Sequence, residues 1–245
     1  MTRQQETDRH EGHDNGVFIN CPFESSYTPL FHAIVFSIFD AGFLPRCTLE
    51  CDDATEVRLA KILRIISQCR FSIHDISYAK LDPISGLPRF NMPLELGVFL
   101  GCKAFGGRPH RVKVGLVLDQ EPFRYQKFIS DLAGLDIRAH QNDPRLAIRA
   151  VRDWLRIATG RVDIPGADDI WQRYRKFQAA LPKICRMRSI GPKDLTFVDY
   201  AEIVRYWLQE TRLIRLPRRR KAPVLSHVQE TTGLPPEATL ESTTP

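Results

Sequence analysis

The strongest constraint on the fold is the alternation of short apolar runs with longer amphipathic segments along the chain as far as Ala158. Five runs are predicted to be buried strands: Val17–Cys21, Phe43–Leu49, Phe71–Ile76, Arg111–Leu118 and Leu135–Ala139. Each is followed by a segment predicted to be helical: Tyr27–Asp40, Thr55–Gln68, a helix that begins at Pro93, Phe123–Leu132 and Asp143–Ala158. Because parallel strands need helical crossovers, this alternation predicts a parallel sheet with helices on both faces.

The pattern changes after the fifth repeat. Ile170–Met187 and Asp194–Glu210 have helical spacing with no strand between them, which predicts a C-terminal α-helical appendage. The fold class is therefore α/β, most simply a flavodoxin-like five-stranded sheet followed by this appendage. We expect a flexible leader (1–16), an α/β domain (17–162), the appendage (166–211), and a disordered tail (212–245) that is basic and then acidic.

The net charge of +6 is concentrated in the tail. Of the 35 basic residues, six lie between Arg212 and Lys221, and the other 29 equal the number of acidic residues. A neutral body argues against stable nucleic-acid binding. No run approaches the ~20 apolar residues of a membrane span, and the N-terminus lacks the apolar core of a signal peptide, so we expect no membrane association and a cytoplasmic location.

Cysteine and glycine patterns exclude several other classes. The six cysteines form no CxxC pair, which predicts reduced thiols and no metal site. Neither GxGxxG nor GxxxxGK[ST] occurs, which argues against a dehydrogenase or a P-loop NTPase.

Polar residues cluster where the first three predicted strands end. The first strand leads to Asn20, Pro22 and Phe23, and the second provides Arg46, with Asp52 and Asp53 beyond it. The third ends at Asp75, and its following loop leads to Asn91 and Glu95. Because ligands of such sheets bind beyond the carboxyl ends of the strands, these residues predict a sugar or nucleotide pocket.

Glu95 is the principal candidate for catalysis. It is the only charged residue in the apolar stretch from Phe90 to Gly101. With Pro93 as the first helical residue, Glu95 would be about the third, where the helix dipole favours an ionised carboxylate. The alternative is a capping glutamate, but its capping-box partner would be Met92, which cannot cap.

An ionised carboxylate in this position suits cleavage of an N-glycosidic bond. The reaction passes through an oxocarbenium-like state, which a nearby carboxylate stabilises or traps. A cationic nicotinamide leaves without a strong acid, whereas a neutral base needs a proton, for which Asp75 is the nearer candidate, also suited to bind ribose hydroxyls. Structural alternatives remain open: Asp75 as a turn cap, Asn20 bonded to loop backbone, and Arg46 paired with Glu50, Asp52 or Asp53.

Three motifs resemble the superfamily of nucleoside 2-deoxyribosyltransferase-like and TIR-like domains. They are Phe18-Ile19-Asn20-Cys21-Pro22-Phe23, the strand-end Asp75, and Leu94-Glu95-Leu96-Gly97, and the resemblance extends over Val17 to Ala158. It implies that Glu95 and Asp75 are catalytic. The substrate-binding candidates are Phe18, Asn20, Pro22, Phe23, Arg46, Asn91 and Met92. The chain has Phe90-Asn91-Met92-Pro93 where the transferases carry Asp-Gly-Thr and where typical TIR domains have Trp-Cys.

As a whole, the chain looks most like the TIR-like effectors of bacterial Pycsar anti-phage systems. That resemblance implies an NAD hydrolase activated by a cyclic pyrimidine nucleotide (cyclic UMP or CMP), with NAD as substrate and no cofactor. It also implies small-molecule nucleotides as partners and a homo-oligomer when active. We expect the appendage to gate activity by sensing a signal or by driving oligomerisation. The alternatives are a nucleoside 2-deoxyribosyltransferase and a non-catalytic nucleotide-sensing module.

Overall fold

A parallel sheet organises the chain, as the sequence predicts. The computed structural model describes residues 13–79, 86, 89–191 and 194–211. The sheet contains β1 (Gly16–Asn20), β2 (Leu44–Arg46), β3 (Phe71–Asp75), β4 (Val114–Asp119) and β5 (Arg138–Ala139). Its order is β2-β1-β3-β4-β5 with every pair parallel, which is the flavodoxin-like order. Most of the predicted leader (1–12) and the whole predicted tail (212–245) lie outside the described residues.

Helices cover both faces of this sheet. They are α1 (Thr28–Asp40), α2 (Arg58–Gln68), α3 (Asn91–Phe105), the single turn α4 (Arg108–Arg111), α5 (Pro144–Thr159), α6 (Ala167–Met187) and α7 (Phe197–Glu210). Successive strand residues face opposite sides. Val17 and Ile19 therefore join the cluster formed with α1, α5, α6 and α7, whereas Phe18 packs with residues of α2 and α3.

Several predicted boundaries are wrong. The helix α2 begins at Arg58 and not at Thr55, whose hydroxyl donates to Asp53 over 2.6 Å. The strand predicted from Arg111 begins at Val114, after the helical turn α4. The helix predicted over Phe123–Leu132 is two separate 3-10 turns, Arg124–Lys127 and Ser130–Leu132, and the residue before the first turn, Phe123, has a φ of 59°. Between the two turns, Ile129 has a φ of −150° and a ψ of 69°, outside the helical region, and this interrupts the helix.

The C-terminal helices share one core with the sheet. Arg173 of α6 donates to Asp40 of α1 over 2.6 and 2.9 Å, and the Tyr200 hydroxyl of α7 donates to the His32 carbonyl over 3.0 Å. The ring of Phe197, the first residue of α7, lies 5.8 Å from the ring of Phe31. Phe31 in turn meets Phe23 edge to face at 5.5 Å, so aromatic contacts continue from α7 to the loop after β1. Among the described helices, none has the length and apolar character needed to cross a bilayer.

The contact between α3 and β4 depends on a residue without a side chain. A Cβ added at Gly115 of β4 would lie 2.8 Å from the Phe99 ring of α3. We therefore expect Gly115→Ala to destabilise the protein by about 1–3 kcal/mol, because the buried Phe99 ring must shift.

Urea unfolding with a matched variant tests this contact. Gly101→Ala in the helix α3 adds the same methyl group where no atom lies within 4 Å. It should stabilise the protein by roughly 0.5–1 kcal/mol, since alanine is the better helix former. Equal effects of the two substitutions would contradict the steric explanation.

Candidate functional site

A cleft of about 260 Å³ opens at the carboxyl ends of β1 and β3, where the strand order reverses direction. This is where ligands of flavodoxin-like sheets bind. The lining residues come from the loop after β1, the start of α2, the segment after β3 and the start of α3: Asn20, Cys21, Pro22, Phe23, Glu24, Arg58, Tyr78, Arg89, Asn91, Met92 and Glu95. The predicted residues Asn20, Pro22, Phe23, Asn91, Met92 and Glu95 are thus brought together.

Glu95 presents a buried carboxyl group to this cleft. Its exposed fraction is only 6%, and none of the described residues donates a hydrogen bond to it. Burial raises the pKa of Glu95 to about 7, although the positive charge of Arg58 opposes the rise. Near neutral pH the group therefore exists in both protonation states.

The helix dipole does not set the charge state of Glu95, which corrects the prediction. The helix α3 begins at Asn91, two residues earlier than predicted, so Glu95 is its fifth residue and not its third. It lies beyond the free N–H groups of the first turn, where the dipole acts most strongly. Desolvation therefore decides the pKa of this carboxyl, in the direction opposite to the one predicted.

Asn20 is tied to the structure beneath the cleft. Its amide nitrogen lies 3.0 Å from His74 Nδ1 and donates to the Met92 carbonyl over 2.9 Å. His74 Nε2 lies 2.5 Å from the Ser72 hydroxyl. Asn20 therefore joins β1, β3 and the start of α3, and Met92 contributes its backbone carbonyl to the same arrangement.

Asp75 does not reach the cleft, which corrects its predicted role. It is fully buried, bonded to the Tyr27 hydroxyl and the Ser77 backbone N–H, and its Oδ2 lies 3.0 Å from His140 Nε2. Burial opposes ionisation, but His140, Ser77 and Tyr27 outweigh it and hold the pKa of Asp75 below its usual value. A carboxylate with these partners neither donates a proton to a substrate nor binds ribose.

Phe18 and Arg46 also lie outside the cleft. Phe18 is fully buried on the sheet face that carries α2 and α3, because it alternates with Val17 and Ile19. Arg46 binds Glu50 through two hydrogen bonds of 2.5 and 2.6 Å, with Gln68 at 3.1 Å. The ion-pair alternative for Arg46 is therefore the one that the structure shows.

The main residue that the sequence analysis missed is Arg58. It is the first residue of α2, lines the cleft, and makes no hydrogen bond or ion pair with the described residues. Its charge acts on Glu95. The cleft's other arginine, Arg89, forms an ion pair with Glu24. Arg58 belongs to an amphipathic helical pattern, so only the correct start of α2 would have placed it beside the site.

Within the ranges that the structure describes, no three His, Cys, Asp or Glu side chains are close enough together to hold a metal ion. Comparison of the chain with protein-family models, with curated proteins and with solved structures finds no match.

The raised pKa of Glu95 predicts a pH-dependent gain in stability for Glu95→Gln. The folded-state pKa of about 7 lies above the ordinary value of 4.5, so the ionised carboxylate costs stability as the pH rises through 7. The full cost corresponds to about 3 kcal/mol. The stability that Glu95→Gln gains over the wild type should therefore be larger at pH 8.5 than at pH 5.

Urea unfolding at both pH values measures this difference. Glu202→Gln is the matched control, because this glutamate of α7 has 66% of its side chain exposed. It should change stability by less than about 0.5 kcal/mol at either pH. A Glu95→Gln effect that does not depend on pH would show that the pKa of this carboxyl is not raised in the folded protein.

Proposed function

We propose that this chain is an NAD glycohydrolase that releases nicotinamide. The supporting observation is the carboxyl group of Glu95, which is nearly buried, receives no hydrogen bond from the described residues, and faces a cleft at the carboxyl ends of β1 and β3. Such a group is costly for stability and is typical of a functional site. The resemblance to TIR-like domains gives the same glutamate the catalytic role.

The reaction needs only one well-placed anion. As the C1′–N bond of NAD breaks, its electron pair moves to the nicotinamide ring, which leaves neutral, and positive charge develops on the ribose. The ionised Glu95 stabilises that charge within the desolvated cleft. Water then bonds to C1′ and loses a proton to solvent, which gives ADP-ribose. The only reactants are NAD and water.

The environment of Asp75 favours NAD over a neutral nucleoside. A neutral leaving base needs protonation, and Asp75 is buried, bonded and held at a low pKa. Asp75 therefore cannot supply the proton that the deoxyribosyltransferase alternative assigns to it. Burial of the Glu95 carboxyl without a hydrogen-bond partner costs stability, and a non-catalytic module would have no function that compensates this cost.

The biological setting of the proposal comes from the resemblance alone. On that basis we propose a cytoplasmic anti-phage effector that depletes NAD after a cyclic pyrimidine nucleotide, cyclic UMP or CMP, binds to it. The active form would be a homo-oligomer. The helices α6 and α7 are candidates for transmitting activation, because they pack on α1, whose preceding loop lines the cleft.

Nicotinamide release tests the activity. The protein is incubated with NAD, with and without cyclic UMP or CMP, and kcat/KM is measured from pH 5 to 9. It should rise with pH through about 7 and then level off, because the ionised form of Glu95 is required. Glu95→Gln should reduce kcat at least 10²–10³-fold, and Glu202→Gln should not. A fully active Glu95→Gln protein would refute the assignment.

Arg58 should favour a substrate that carries phosphate. It lies at the N-terminus of α2, where the charge of the side chain and the free N–H groups of the helix both attract anions. We expect Arg58→Gln to lower kcat/KM for NAD about tenfold more than for nicotinamide riboside, which has the same scissile bond and no phosphate. Rates are compared at pH 9, where Glu95 is ionised.

The matched control for this measurement is Arg156→Gln. Arg156 of α5 lines a separate groove beside β5 and should leave both substrates unaffected. If Arg58→Gln lowers both rates equally at pH 9, Arg58 acts on the reaction without contacting phosphate.

A further inference from the structure

A continuous chain of hydrogen bonds runs beneath the cleft. It joins the Ser72 hydroxyl, His74, the Asn20 amide and the Met92 carbonyl through separations of 2.5, 3.0 and 2.9 Å. Parallel pairing places Asn20 of β1 directly beside His74 of β3. His74 is fully buried between the rings of Phe18 and Phe99 and does not line the cleft.

The chemistry of this chain determines where each hydrogen lies. Burial lowers the pKa of His74 to about 3, so the imidazole is neutral and has one N–H donor and one acceptor nitrogen. The Asn20 amide nitrogen can only donate. His74 Nδ1 is therefore the acceptor, and Nε2 carries the hydrogen that faces the Ser72 hydroxyl.

The same bonds determine how the Asn20 amide is oriented. One of its N–H groups donates to His74 and the other to the Met92 carbonyl. A flipped amide would place its oxygen against that carbonyl, and two acceptors in contact are costly in a buried site. The Asn20 Oδ1 oxygen is thus left without a hydrogen bond from the described residues, on a side chain that lines the cleft with Glu95.

We propose that His74 is a positioning residue that holds Asn20 with its Oδ1 oxygen toward the cleft, where it accepts a hydrogen bond from a hydroxyl of the sugar that carries the scissile bond. This inference rests on the proposed NAD cleavage, because it identifies part of the same site. Glu95 and Asn20 Oδ1 are both acceptors, so together they favour a ribose that retains its hydroxyls. A deoxyribose leaves a buried acceptor unpaired.

Substrate discrimination tests the inference better than rate alone. We compare kcat/KM for NAD with that for its analogues lacking the 2′- or the 3′-hydroxyl of the nicotinamide ribose. In the wild type, NAD should be preferred over one of them by at least tenfold. Asn20→Ala should reduce that preference about tenfold, and His74→Phe should do the same, although the side chain at position 74 does not line the cleft. A merely structural defect would lower all rates and preserve the ratio.

Two further variants control for the loss of a buried histidine. His74→Asn retains an acceptor near the Nδ1 position and should restore most of the preference. His32→Phe removes a histidine of α1 that stacks on Tyr200 at 3.7 Å, outside this chain, and should leave the preference unchanged. Thermal unfolding establishes that each variant is folded; if His74→Phe does not fold, the smaller His74→Leu replaces it, because Asn20→Ala tests only the contact of Asn20 with the sugar.

The outcomes separate this inference from the proposed function. Cleavage of NAD with an unchanged preference in Asn20→Ala, or in a folded His74→Phe, would overturn the inference and leave the glycohydrolase intact. If the wild type binds NAD but does not cleave it, the ratio of dissociation constants, measured by calorimetry, replaces the ratio of rates. A preference that is lost in Asn20→Ala would then support the inference while the glycohydrolase fails. No binding and no cleavage would overturn both.

Discussion

The pairing of β1 with β3 is the constraint on which the rest of the molecule depends. It sets Asn20 opposite His74 and leaves both strands ending at the same edge of the sheet. The neighbouring strands β2 and β4 then lie on either side, so the connections after β1 and β3 diverge from that edge. The space between the diverging connections is the cleft, and the start of α3 brings Glu95 into it.

The same pairing explains why neighbouring residues of β3 have different roles. Side chains alternate along a strand, so His74 faces α3 while Asp75 faces the opposite side, toward Tyr27 and His140. One face supports the cleft with a neutral hydrogen-bond chain, and the other holds a charged carboxylate against the main core. An aspartate at a strand end therefore need not belong to the site that the strand leads to.

The fold and half of the site could be predicted from the sequence, because both follow from local pattern. Apolar runs that alternate with amphipathic segments indicate parallel strands and crossovers, the end of the first strand indicates Asn20, and a lone charge at an apolar helix start indicates Glu95. The errors come from helix starts and from register. Because α3 starts at Asn91, Glu95 lies beyond the first turn of the helix, and its pKa differs from the prediction. Because α2 starts at Arg58, this arginine, which the sequence did not indicate, lines the cleft. Only the paired register reveals that Asn20 meets His74.

The aromatic contacts between Phe23, Phe31 and Phe197 have a consequence for the organisation of the chain. One wall of the cleft includes Phe23, which rests on Phe31, and Phe31 rests on the first residue of α7. A wall of the cleft is thus connected through Phe31 to α7, the last helix that the structure describes. Two ring-to-ring contacts therefore link the N-terminal end of α7 to a wall of the cleft, so the helical part helps to position a residue of the α/β part.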